Sequence, residues 1–131
     1  MDNNISAVDE WVKYANKDLA VVNILFSHHP LQLEIICYHC QQSAEKMLKA
    51  FLVYSGLHPA KTHKMIELLD ECENIDDEFT KIFDNCNRLD PYSNQPRYPF
   101  GLEIDEAIMK LAIKDCETIM EFVNEKIKET E

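Results

Sequence analysis

Apolar residues recur along this chain in long stripes at helical spacing. Ile5, Val8, Val12, Ala15, Leu19, Val22 and Phe26 step by three and four residues without a gap. That spacing returns to one side of an α-helix, so it predicts a first helix that stops before Pro30. At about 1.5 Å per residue such a helix is roughly 33 Å long. Leu33, Ile36, Cys37, Cys40, Ala44, Met47, Leu48, Phe51 and Tyr54 form a second arc and predict a helix over about 31 to 55. Gly56 then stands where a helix C′ residue belongs. Thr62 suits the N-cap of a short helix from His63 to about Glu73. Asp76 or Asp77 is placed to start another through Asn87. Ile104, Ile108, Leu111, Ile119, Phe122, Val123 and Ile127 predict a last helix over about 103 to 128, with Asp115 interrupting the stripe.

Glycine occurs only twice and the prolines cluster between these stripes. Hairpins need Gly-rich turns, so strands are disfavoured. The pattern predicts one all-α domain over residues 1–131. Its architecture is an up-and-down helix bundle of about five helices, three long and two short. Short links make sequential helices antiparallel neighbours. Leu89 to Leu102 is the one long irregular stretch, and loops of that length in compact domains are often functional.

The polar side of the second helix is not a plain lysine–glutamate surface. A projection at 100° per residue puts Glu34, Tyr38, Gln41, Gln42, Glu45 and Lys49 together, flanked by His39 and Lys46. Leu31, Ile35, Leu52 and Val53 fall on or beside the same side. Contiguous exposed apolar side chains usually mark an interface, so the face is expected to be partly covered, by a second subunit or by the Leu89–Leu102 loop. A homodimer is the corresponding expectation. The alternative is a surface helix with a Glu45–Lys49 pair at i,i+4, which stabilises by a few tenths of a kcal/mol.

Composition narrows the function classes. The net charge of −11, from 24 acids against 13 bases, repels nucleic acid at long range. An extended nucleic-acid surface is therefore not expected, because such surfaces work by neutralising phosphates with Lys and Arg. A phosphate ligand would have to find a local basic cluster rather than a general field. No apolar run approaches the ~18 residues of a membrane span, and Met1-Asp2-Asn3-Asn4 has no positive targeting region. The five cysteines are then expected to be reduced and the protein cytoplasmic. Cys37 and Cys40 make a C-x-x-C, but mid-helix, on the apolar arc and without a second pair. Zinc sites put that spacing in a turn, so burial as small hydrophobes is the expectation. No acid stands three residues before any histidine, which sets aside a di-metal bundle. Neither metal nor cofactor is expected.

The proline-stiffened loop carries Arg88, Asp90, Tyr92, Asn94, Arg97 and Tyr98. An arginine beside tyrosines offers a planar fork to phosphate and a stacking surface to a base. The alternative is a crossover loop whose aromatics plug the bundle end while Arg97 pairs with an acid.

Tyr38-His39-Cys40-Gln41-Gln42-Ser43-Ala44-Glu45-Lys46, followed by Lys61-Thr62-His63 and Arg97-Tyr98-Pro99, resembles the signature of the HEPN family (higher eukaryotes and prokaryotes nucleotide-binding). The resemblance covers nearly the whole chain. It implies a bundle of about five helices, often dimeric, whose members accompany minimal nucleotidyltransferases and serve in toxin–antitoxin pairs. Catalytic members resemble metal-independent ribonucleases with Arg-x(4–6)-His. Here the only arginines are Arg88 and Arg97, and no histidine stands at positions 93 to 95 or 102 to 104. The expectation is a non-catalytic protein that binds a nucleotide, a partner nucleotidyltransferase or both. An atypical ribonuclease toxin and a purely structural dimer are the alternatives. Any small ligand should be anionic and should meet His39, Gln42, Lys46, Lys49, His63, Arg97 and Tyr98.

Overall fold

The computed structural model describes residues 2–93 and 103–128. Helix α1 spans Asp2–Phe26, α2 Leu33–Tyr54, α3 Met65–Ile75, α4 Phe83–Leu89 and α5 Glu106–Lys128. Short 3-10 turns occupy Asp77–Ile82 and Asp90–Ser93. The described residues contain no strand, so the all-α bundle predicted from the apolar stripes is the observed architecture.

Helix ends follow local chemistry. Gly56 has φ +88°, a backbone state that costs glycine no Cβ clash. Its N–H donates to Val53 O and the N–H of Leu57 to Leu52 O, both at 2.9 Å, which closes α2 with a Schellman motif. Asp105 Oδ1 accepts from the Ile108 N–H at 2.8 Å, so α5 starts a turn later than the stripe alone predicts. Thr62 does not cap α3. Its hydroxyl accepts from the Lys64 N–H at 3.1 Å and donates to Glu67 at 2.7 Å, which is a local turn. The helix begins at Met65, whose N–H donates to Asp90 Oδ1 at 2.7 Å. Thr62 turns the chain before the helix, and an acid from beyond α4 supplies the cap.

Helix α2 is the central column. Helix α1 packs antiparallel to it, as the short link through Pro30 requires: the Ser43 hydroxyl donates to Ala15 O at 2.8 Å, and Asp18 reaches His39. Residues 55–64 then run back along α2, bringing His63 O beside Gln41. Helix α3 therefore sets off in α2's own direction, and Cys72 Sγ lies 3.8 Å from Leu48 O. The Asp77–Ile82 turn and α4 return to the start of α3 at Asp90. On α5, Met120 meets Ser43 and Phe122 meets Phe79, which stacks on Phe51 at 4.4 Å. These contacts climb together, so α5 also runs parallel to α2.

The core gathers Ala15 and Val22 of α1, most of α2, and the inner faces of α3, α4 and α5. All five cysteines lie in it as free thiols. Burial pushes the Cys37 and Cys86 thiols up to about 12 and raises Cys72 as well. Cys40 is raised too, through its neighbour Cys116 and its burial. Thiolates are the reactive form, so these groups are inert fillers of the bundle.

No described helix is long and apolar enough to cross a membrane. At the end where α1 finishes and α2 and α5 begin, Ile24, Phe26, Ile35, Ile108 and Leu111 keep substantial exposure. Leu52 and Val53 are buried within the chain itself. They do not wait for a second subunit, and of the four aliphatics on that side only Leu31 and Ile35 keep an outward part.

Candidate functional site

Helix α2 carries two parallel rows of polar residues, and neighbouring segments meet both. His39, Gln42 and Lys46 form the first row. His39 Nδ1 lies 2.9 Å from Asp18 Oδ1, and Lys46 Nζ donates to the other oxygen of the same carboxylate. Gln41, Glu45 and Lys49 form the second row. Glu45 is buried, and it accepts from Gln41 at 3.1 Å and Lys49 at 3.0 Å. His63 Nδ1 stands 3.2 Å from the same carboxylate. Gln42 donates to Gln41 Oε1 at 2.8 Å and so ties the rows together, while Gln41 also holds His63 O. Trp11 of α1 presents its ring to the Lys49 ammonium, 5.4 Å from the centroid.

The face is partly covered, but the cover shown by these contacts is α1 and the 55–64 link of the same chain, not the second subunit or the Leu89–Leu102 loop expected from the sequence. The pairs also bear on ligand chemistry. Two ammonium groups, Lys46 and Lys49, face two carboxylates, Asp18 and Glu45, so with neutral imidazoles the seam sums to zero. A phosphate entering it competes with resident acids. Lys49 is 10% exposed in its side chain, His39 26%, Lys46 23% and His63 73%. Reachable donors are thus His63 first, then Lys46 and His39, while Lys49 stands behind Glu45 and Trp11. Arg97 and Tyr98, expected to complete the site, lie outside the described residues.

A second polar centre sits between α4 and α5. Asp115 is 1% exposed and accepts from Arg88 Nε at 2.8 Å, Arg88 Nη2 at 2.7 Å and Asn85 Nδ2 at 2.8 Å. The bidentate fork raises the Arg88 pKa further, chiefly through those hydrogen bonds. Its described partners contain no imidazole. Arg88 belongs to helix α4, where it anchors α5, and does not sit in a ligand-presenting loop.

The HEPN domain family model matches residues 8–127. The chain belongs to the HEPN family. No curated protein and no solved structure matches it. Within this HEPN fold, the Tyr38–Ala50 signature is the seam-forming stretch of α2, and Lys61-Thr62-His63 is the turn that delivers an imidazole to Glu45. The signature residues thus hold the HEPN bundle's first two helices and the link between α2 and α3 together. Among the described residues no group of three or more His, Cys, Asp or Glu is placed to hold a metal ion.

Sequence reasoning missed Asp18, Trp11 and the Asp115–Arg88 pair. A signal for them existed. Trp11, Ala15, Asp18 and Val22 share one row of α1, where an acid among apolar residues needs a partner. Asp115 interrupts its stripe in the same way.

Proposed function

We propose that this HEPN protein is a non-catalytic binding subunit whose partner is a minimal nucleotidyltransferase, in a pair of the toxin–antitoxin kind. The observation that carries this reading is the Arg88–Asp115 fork. Ribonucleolytic transfer needs a group to move the 2′-hydroxyl proton and a cation to stabilise the phosphorane. Arg88 is forked onto a buried carboxylate beside Asn85, and its described partners include no imidazole. No histidine follows Arg97 at the spacing that the ribonuclease pattern requires. The neutral seam points the same way: its cations are engaged in holding α1 and the link to α2.

A bound nucleotide is the second reading, and the 73% exposure of His63 beside partly open Lys46 favours it. Its phosphate would take Lys46, His39 and His63 as donors, with Gln42 beneath. Calorimetry with nucleoside mono- and triphosphates separates the two. Binding tighter than about millimolar, roughly −4 kcal/mol, that is lost in Lys46→Ala supports a nucleotide site. Absence of such binding leaves the protein partner as the functional ligand.

A further inference from the structure

We infer that the cleft where α2 and α3 end, beside α5, binds a small aliphatic polyamine. This assignment stands apart from the partner reading and from the seam on α2. The cleft has a volume of about 590 Å³, within the usual range for small-molecule sites. Its walls include Phe51 and Tyr54 of α2, Glu73 and Asp76 at the end of α3, Asp77, and Lys126 of α5. Helices α2 and α3 both finish here, and neither carries a base in its last turn. The unsatisfied carbonyls of a helix C-terminus favour a cation. Two such ends and three carboxylates thus meet one resident ammonium.

That resident shows what the lining already holds. The Lys126 side chain is 7% exposed, and its ammonium lies 2.9 Å from Asp76 Oδ2 and pairs with Glu78. It also stands 5.6 Å from the centre of the Phe122 ring. The inner wall is therefore an ammonium site built from carboxylates and an aromatic ring. Three lining carboxylates against one ammonium leave two negative charges in excess. Glu73 and Asp77 make no ion pair among the described residues. Lys128, the other base near the end of α5, lines a groove on the α1 side. The Phe51 and Tyr54 rings, with centroids 6.4 Å apart, offer an aromatic surface to a second ammonium. Among the described residues no three acids, histidines or cysteines are grouped to hold a metal ion. Charge spread along a cleft suits amines spaced on an alkyl chain, whose ammonium groups meet carboxylates while the methylenes lie on the rings.

The test is calorimetry with spermidine at physiological salt. Wild type should bind it at a single site with a Kd below about 1 mM. The variant E73Q/D77N should bind about tenfold more weakly. Asp77 is exposed and Glu73 half-buried, so this variant should keep the wild-type circular dichroism. Tyr54→Leu keeps the apolar bulk, removes the ring and should weaken binding about threefold. The control E10Q/E34Q removes as many charges from exposed positions elsewhere and should stay within about twofold. No binding by wild type, or equal weakening in the control and E73Q/D77N, overturns the proposal. So does magnesium binding as tightly as spermidine, which would reduce the effect to charge alone. An acetylated trilysine peptide that binds as tightly would give the cleft to a protein side chain and overturn the assignment to a free amine.

Discussion

Asp115 and Arg88 illustrate how an interruption in a hydrophobic stripe marks a structural anchor. The carboxylate is buried, while the guanidinium keeps 44% of its side-chain exposure. Removing the two partners should therefore have unequal effects. Arg88→Ala leaves a buried charge with one amide donor and should destabilise by about 2–3 kcal/mol, below the usual range for a fully buried pair. Asp115→Asn leaves a guanidinium that water can reach and should cost about half as much. Denaturant unfolding of both variants measures the difference, and equal losses would contradict it. Glu78 gives a pH signature. Lys126 and Lys81 hold its carboxyl down at about 2, below its ordinary 4.5. Asp76 is lowered as well, mainly by Lys126. A depressed folded pKa contributes stability that is present above the unfolded value and is lost as protons bind. The melting temperature should fall as pH drops from about 4.5 toward about 2, and Glu78→Gln should flatten that fall. A variant with the wild-type slope would rule Glu78 out as its source.

The helices themselves were legible because their stripes are long and their ends carry recognisable chemistry. Gly56 and Asp105 behave as their residue types require. Thr62 shows what local reading misses. Serine and threonine serve helix caps and tight turns equally well. The choice fell to Asp90, which a tertiary contact brings to Met65. Asp90→Ala should therefore cost about 1 kcal/mol and speed amide exchange in the first turn of α3. Thr62→Ala should leave that turn protected, since its hydroxyl serves Lys64 and Glu67. The reverse ranking would restore Thr62 as the cap. The same limit applies to the seam on α2. Periodicity showed that its polar side was unusual, but Asp18 and Trp11 come from a helix more than twenty residues away in sequence. Only the fold determines which cations already have acids.

Among the described residues, the seam on α2 sets its two lysines against two carboxylates, and one end of the bundle is apolar. That end, with Phe26, Ile35 and Leu111 exposed, is where two copies should pair. Light scattering at micromolar concentration should give the mass of two chains, and Ile35→Asp with Leu111→Asp should shift it toward one. A single-chain mass for wild type at every concentration would exclude the pairing. Whether this HEPN protein binds or cleaves is decided most directly by incubating it with single-stranded RNA. We predict no cleavage above the buffer background. Cleavage by the wild type that disappears in Arg97→Ala or His39→Ala would contradict the non-catalytic reading.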